Sequence, residues 1–548
     1  MNALADARAW LAQDPDPVTR DELADLIDRA EGGDAEAVAD LADRFSGRLQ
    51  FGTAGLRGEL GAGPMRMNRV LVAQAAAGFA RFLTGRSGGS VPTIVVGYDG
   101  RRNSDVFARD SAELFQGAGL DAILLPRALP TPVLAFAVRH LGAAAGVMVT
   151  ASHNPPDDNG YKVYLGGDDA GAQIVSPADA EIAGAIQAVA DAGSVADLPR
   201  SEGYAIADED VVAAYVAQTA AVSPAPASAA GMRWTYTAMH GVGWETLRAV
   251  LEQAGYPLPD VVAEQIEPDG AFPTVAFPNP EEPGAMDLAF ETATRTGAEF
   301  IIANDPDADR VAVAVPTGSG WRRLTGNDIG LLLGARAARA AEGAQGASLA
   351  CSLVSSPGLG AIAERHGLAW HETLTGFKWI SRAPGLVFGF EEALGYLVNP
   401  DTVRDKDGIS AAVAVLGLAA EARSRGASIA DLVDELADEI GHFASGQVSI
   451  RVDDLSIIGR TMASLRADPP ASFGELAVER ADDLLRPADG EPGGDILRYL
   501  LAGGSRVIFR PSGTEPKLKA YLDVRASTAE DARARLASLE EAVRARLA

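Results

Sequence analysis

Cysteine is almost missing: Cys351 is the single one in 548 residues. It can form no internal disulfide, so the chain is not a disulfide scaffold, and a reducing compartment is expected. Its plain reading is a buried core thiol, because Leu349 to Val354 is mostly apolar. Basic residues are also short. Lys and Arg total 47 against 75 Asp and Glu, a net charge of -28. That deficit argues against nucleic acid and anionic membrane partners, which need a basic surface. No window comes near the ~20 uninterrupted apolar residues of a membrane span. Met1 to Trp10 has neither a basic start nor a long apolar run, so no secretory leader is expected there. Together these absences lead us to expect a cytoplasmic protein. No fixed-period repeat is present either.

What remains has the balance of a soluble enzyme, 47% hydrophobic and 22% charged. The length calls for three or four cores at roughly 150 residues each. The first fifty residues read as helices over Asp21 to Ala30 and Asp34 to Leu49, rich in Ala, Leu, Glu, Asp and Arg. Strands and helices then alternate: strand Thr93 to Tyr98, helix Asn103 to Gly117, strand Ala122 to Leu125, helix Thr131 to Leu141, strand Ala143 to Thr150. The same alternation returns twice, around strands Glu299 to Ala303 and Leu349 to Val354. It predicts α/β domains with largely parallel sheets. We divide the chain into a helical extension (1–50), three α/β units (51–205, 206–318, 319–441) and a C-terminal domain (442–548).

Four segments carry chemistry, each at a strand end or in a turn, where α/β proteins place their sites. Thr150-Ala151-Ser152-His153-Asn154-Pro155 leaves an apolar strand and presents a serine beside a histidine. A serine hydroxyl is a weak nucleophile until a base, a metal or a dipole assists it. By itself it would be an ordinary turn serine. Asp305-Pro306-Asp307-Ala308-Asp309-Arg310 sets three carboxylates at alternate positions. In extended backbone these point one way and suit a hard cation such as Mg²⁺. A calcium loop is rejected, because Val311 to Val315 continues as an apolar strand. Arg510-Pro511-Ser512-Gly513-Thr514-Glu515-Pro516-Lys517 combines Arg, Lys, two hydroxyls and a glycine, a phosphate cradle in kind. Phe390-Glu391-Glu392-Ala393-Leu394-Gly395-Tyr396 brings two acids to a strand end. These can accept hydrogen bonds from sugar hydroxyls or simply stabilise a helix start.

In this order and combination the four segments resemble those of the α-D-phosphohexomutases, the phosphoglucomutases, phosphomannomutases and their relatives. The resemblance runs from about Arg48 to Tyr521. It implies three similar α/β domains with mixed sheets and a smaller C-terminal α+β domain around a central cleft. Phe51-Gly52-Thr53-Ala54-Gly55-Leu56-Arg57-Gly58, Met239-His240-Gly241-Val242-Gly243 and Thr375-Gly376-Phe377-Lys378 are similar to the branch of type 2 phosphoglucomutases and phosphopentomutases. By that resemblance Ser152 carries the phosphoryl group. Asp305, Asp307 and Asp309, with Ser152, hold Mg²⁺, and Arg57, Arg310 and Lys378 hold phosphoryl oxygens. Thr375, Gly376 and Glu391 meet the sugar. Arg510, Ser512, Gly513, Thr514 and Lys517 anchor the substrate's phosphate. Lys162 falls on the family's candidate general base, with His153 as its rival. Many relatives carry Ser where this chain has Ala393, a departure that bears on sugar preference.

The implied reaction is interconversion of a hexose 1-phosphate and 6-phosphate, glucose first, with mannose or pentose phosphates as alternatives. A sugar 1,6-bisphosphate serves as intermediate and activator. A sugar bisphosphate synthase would use the same four loops, and a non-catalytic sensor would need no nucleophile. A closed, dry cleft is required, or the phosphoserine would hydrolyse, and the last domain is the expected lid. Expected partners are small-molecule sugar phosphates, and the expected assembly is a monomer or homodimer.

Overall fold

The computed structural model describes residues 3–452, 454–487, 493–511 and 517–547. Two compact units emerge: residues 1–324 with 395–423, and residues 325–394 with 424–548.

The first unit opens with helices Ala3–Gln13, Pro17–Glu31 and Ala35–Arg44. Pro17 starts the second, where its missing N–H is no loss, and Asp16 caps it by accepting from the Val18 amide. Asp34 caps the third in the same way. The first of these helices was not anticipated, and the third stops at Arg44 rather than Leu49. Phe45 ends it by turning inward, edge-on to Trp10. Trp10, Leu23, Ile27 and Leu41 share one core with Val70, Phe79, Ile94 and Val147. The extension is thus continuous with the α/β layer that follows.

That layer is a mixed sheet in the order Leu56–Glu59, Asp158–Leu165, Ala145–Val149, Thr93–Tyr98, Asp121–Leu124, Ala205–Ile206. The last four strands run parallel, joined through helices that include Ser104–Gly117 and Thr131–His140. Asp158–Leu165 is antiparallel to its two neighbours in that order and to the short strand Ala172–Gln173, and it sets Lys162 opposite Met148. Arg57 pairs with Gly160 on the edge strand. A Cβ at Gly160 would lie 2.6 Å from the Thr150 carbonyl oxygen and 2.8 Å from that of Leu56, so only glycine fits there. The second sheet runs Gly320–Arg323, Val311–Thr317, Phe300–Asn304, Trp234–Thr237, Asp260–Val261. Phe300–Asn304 and Val311–Thr317 form an antiparallel hairpin, and Asp305 to Arg310 is its loop. Segment 395–423 completes the unit with the buried helix that begins at Gly408.

The second unit contains the parallel strands Ala369–Thr373, Ser348–Ser352 and Leu386–Glu391. It also contains an antiparallel sheet ordered His442–Arg451, Lys517–Ala526, Ser505–Pro511, Leu497–Leu501, Leu476–Asp483, Ser472–Phe473. Helix Ala529–Leu547 packs on the latter through Leu539 and Val543. The whole is a four-domain α/β fold with mixed sheets and seventeen α-helices among the described residues, the fold class expected. None of those helices is long and apolar enough to cross a membrane.

Candidate active site

Ser152 lies three residues beyond strand Ala145–Val149 and is buried. Its φ of 53° is left-handed, a conformation that costs a non-glycine residue of order 1 kcal/mol. The turn aims Oγ at Asp305, to whose Oδ2 it donates at 2.8 Å. His153 Nδ1 stands 3.2 Å from the same Oγ. Arg57 Nη1 donates to Asn154 Oδ1 at 3.0 Å and so reaches the serine loop from the edge strand.

Asp305, Asp307 and Asp309 are all fully buried. The loop is not extended as expected but turned: the Ala308 amide donates to the Asp305 carbonyl, and Ala308 has a φ of 53°. The turn still brings one carboxylate oxygen from each residue within 4.8 Å of the others. Asp307 Oδ2 accepts from Thr131 Oγ1 at 2.6 Å, and the Thr131 amide donates to the Asp307 carbonyl. Asp305 Oδ1 accepts from the Arg310 amide at 2.9 Å. Lys162 Nζ lies 2.8 Å from both Asp307 Oδ2 and Asp309 Oδ2.

Electrostatics follow from this packing. Burial, then the two neighbouring carboxylates, pushes Asp305 well above the usual carboxylate range. Burial raises Asp307 as well, but the Lys162 ammonium together with hydrogen bonds from Lys162 and Thr131 outweighs it and holds Asp307 low. Burial pulls Lys162 down, yet Asp307 and Asp309 hold it above its ordinary value. His153 is depressed well below its ordinary value, first by burial and then by Arg310 and Arg57, so the imidazole is neutral.

Oδ1 of Asp307 and Oδ1 of Asp309 are buried without a hydrogen-bond partner. Two orphaned carboxylate oxygens beside a third carboxylate and a hydroxyl form an all-oxygen donor set, which fits a hard divalent cation.

Sequence reasoning missed one charged side chain here. Lys406 Nζ sits 3.2 Å from Asp309 Oδ2 and 3.6 Å from Asp405 Oδ1. Asp405 in turn accepts from Tyr164 and Gln173. The available signal was the charged run Arg404 to Asp407 immediately before an apolar helix, with Asp405 and Asp407 fully buried.

The other predicted residues lie in the second unit. Glu391 ends strand Leu386–Glu391, and its Oε1 accepts from the Gly376 amide at 2.7 Å. Thr375 precedes Gly376, and Lys378 lies in the short helix Phe377–Ile380. Ala393 lies in the turn after Glu391, next to Leu394 with its φ of 63°. Glu392 accepts from Ser352 and Ser355. Arg510 and Lys517 stand on the adjacent strands Ser505–Pro511 and Lys517–Ala526. Ser512, Gly513 and Thr514 lie outside the described residues.

A strained, buried serine facing a cation-ready carboxylate cluster is equipped for phosphoryl transfer, which depends on positioning and charge neutralisation. Comparisons with known proteins agree. Models of the phosphoglucomutase/phosphomannomutase family match in chain order: α/β/α domain I at residues 48–192, domain II at 213–318, domain III at 325–440 and the C-terminal domain at 462–540. A Haemophilus influenzae protein named "Probable phosphomannomutase" is 56% identical over 88% of this chain and 97% of its own length. The Homo sapiens phosphopentomutase is 34% identical over 94% of this chain and 90% of its own. The structure of a Burkholderia thailandensis phosphoglucomutase/phosphomannomutase family protein superposes with a TM-score of 0.70 at 20% identity, covering 91% of this chain and 97% of that one, a likeness of fold. The chain belongs to the phosphoglucomutase/phosphomannomutase family, the α-D-phosphohexomutases. It is a phosphosugar mutase, an isomerase that moves a phosphoryl group within its substrate.

Proposed function

We propose that the enzyme interconverts hexose 1-phosphate and hexose 6-phosphate through phosphorylated Ser152, with glucose as the first substrate and mannose within about tenfold. The observation that carries this reading is the 2.8 Å contact between Ser152 Oγ and Asp305 inside a buried three-carboxylate cluster. The hexose O6 hydroxyl gives its proton to Lys162, or to its rival His153, as O6 forms the new bond to phosphorus and the bond from phosphorus to Ser152 Oγ breaks. The resulting 1,6-bisphosphate turns over and returns its 1-phosphate to Ser152, leaving the 6-phosphate as product. The same bisphosphate primes the resting enzyme as activator.

Asp305, Asp307, Asp309 and Ser152 would hold Mg²⁺, which when bound offsets charge on a phosphoryl oxygen. His153, neutral and 3.2 Å from Ser152 Oγ, exchanges the proton at the serine oxygen. Lys162 and Lys406 each contact triad carboxylates and offset their charge in the absence of a cation. Arg57, Arg310 and Lys378 hold phosphoryl oxygens. Arg510, Ser512, Gly513, Thr514 and Lys517 anchor the distal phosphate, each strand flanking that loop contributing one cation. Glu391, with Thr375 and Gly376 beside it, accepts hydrogen bonds from the sugar's O3 and O4 hydroxyls. Those two hydroxyls have one configuration in glucose and mannose, and Ala393 adds no polar probe, so the two hexoses are weakly separated. The Haemophilus relative's name favours mannose as the second substrate. We further propose the five-part domain division given above and a cytoplasmic location.

The test is Ser152→Ala. We expect a folded protein with activity lower by many orders of magnitude, and intact-mass measurement that finds a phosphoryl adduct on wild type and none on the variant. Normal turnover in the variant refutes the reading. Turnover that needs an external phosphoryl donor instead of bisphosphate priming marks a synthase. Ribose or deoxyribose 1-phosphate favoured about a hundredfold over both hexoses refutes the sugar assignment.

A further inference from the structure

Arg101 follows strand Thr93–Tyr98 in Asp99-Gly100-Arg101, far in sequence from the serine loop, and is 4% exposed. Its Nη2 donates to the carbonyl oxygens of Ser152 at 2.6 Å and Asn154 at 2.5 Å. Its Nη1 donates to those of Pro155 at 2.8 Å and Asp158 at 3.1 Å. Four carbonyls of one loop therefore converge on one guanidinium. Asp99 fixes the arginine from behind: Oδ1 accepts the Arg101 amide at 3.0 Å and Ser104 Oγ at 2.7 Å, and Oδ2 faces Nε at 3.7 Å. The Phe272 ring, from the other α/β domain of this unit, stacks on the guanidinium at 4.9 Å.

Carbonyl dipoles aimed at one point repel each other unless a cation with several donors occupies that point. A planar guanidinium presents five donors in a fixed fork, whereas an ammonium has three around a single nitrogen. The folded loop also holds Ser152 at a left-handed φ of 53°. Such strain persists only where the surroundings over-determine it. The hydrogen bonds of the Arg101 guanidinium all go to backbone carbonyls, and the Asp305 and Asp307 charges act on it only at longer range.

We infer that Arg101 is a positioning residue for phosphoryl transfer: by gathering these four carbonyls it locks Ser152 in the conformation that points Oγ at Asp305. The inference rests on the mutase reading above. Sequence inspection does not reveal it, because Asp-Gly-Arg after a strand reads as a surface turn.

The test compares Arg101→Lys, Phe272→Leu and Arg102→Lys with wild type, using glucose 1-phosphate with trace glucose 1,6-bisphosphate, on protein shown to be folded by its thermal melt. Arg101→Lys should lower kcat about 100-fold, the effect of an ångström-scale misplacement, with KM within about threefold. Phosphorylation of Ser152 by the bisphosphate, followed by intact mass, should slow in proportion. Phe272→Leu, which keeps the fork and loses the ring, should lower kcat about fivefold. Arg102, an exposed neighbour whose side chain reaches Pro156 and Asp157, serves as the control, and Arg102→Lys should keep wild-type rates. Wild-type kcat in folded Arg101→Lys, a change confined to KM, or an equal loss in Arg102→Lys overturns the inference. If Arg101→Lys does not fold, unchanged kcat in Phe272→Leu overturns it. Wild-type protein that neither accepts phosphoryl nor turns over refutes the mutase reading and the inference with it, and the wild-type arm separates the two failures.

Discussion

Gly241→Ala tests how tightly the carboxylate loop is braced. Gly241 lies in the turn Met239 to Gly243, where Met239 and His240 both have positive φ. A Cβ built on Gly241 would stand 2.3 Å from Pro306 Cα and 2.3 Å from Pro306 O. The Val242 amide donates to that same carbonyl at 2.9 Å, so the two loops cannot part without losing a bond. Ordinary contact begins near 3.4 Å, and the obstacle is backbone rather than a side chain that can rotate. The loops must separate by about 1 Å, and the strain costs about 1–3 kcal/mol. Pro306 lies between Asp305 and Asp307, so that displacement moves two of the three carboxylates together. We expect kcat to fall about 100-fold, as for other misplacements of this size, and the Mg²⁺ requirement to move to higher concentration. Steady-state kinetics over a Mg²⁺ series, with calorimetric Mg²⁺ titration and a thermal melt, would measure all three effects. A folded Gly241→Ala enzyme with wild-type kcat and wild-type Mg²⁺ affinity would refute the bracing argument.

Two further outcomes follow from the surroundings of single side chains. Lys162→Met removes an ammonium bonded to two buried carboxylates. It should destabilise the metal-free protein by about 3–5 kcal/mol, with Mg²⁺ restoring part of the loss by binding the native state; urea unfolding in chelator and in Mg²⁺ checks this, and equal stabilities in both would contradict it. Gly184 sits inside helix Ala178–Ala192 with nothing within 4 Å of an added Cβ. Gly184→Ala should therefore stabilise by about 0.5–1 kcal/mol at unchanged kcat, read from the urea midpoint.

Regular elements were legible where local chemistry decides them. Thr93–Tyr98 is a β-branched run read to the residue, and the helix Ser104–Gly117 was read to within one residue. Strand Asp158–Leu165 was not read, because Asn159-Gly160 has the signature of a turn. Its glycine answers a different demand, the close approach of two carbonyl oxygens from neighbouring strands. The chemical residues of the site were legible as motifs, since Ser152 and the three aspartates each stand in a short, chemically loaded loop. Their supports were not. Thr131, Lys406 and Arg101 reach the site across long sequence separations, and only Lys406, in the charged run Arg404 to Asp407, carries a local signal.

The carboxylate loop, read as extended, was misread for a more general reason. Ser152, Ala308, Met239, His240 and Phe272 all adopt positive φ without being glycine, and all lie in or against the loops that build the site. Local propensity opposes each of these conformations, so each needs an external restraint. The structure supplies one in most cases: Arg101 for Ser152, the Asp305 carbonyl for Ala308, the Gln265 carbonyl for His240. A serine and a carboxylate cluster that relaxed to their preferred backbones would lose the 2.8 Å contact between Ser152 and Asp305. The strain is therefore informative in itself. In these five of the eight described non-glycine residues with positive φ, it marks where the fold holds the chain against its own preference around one serine.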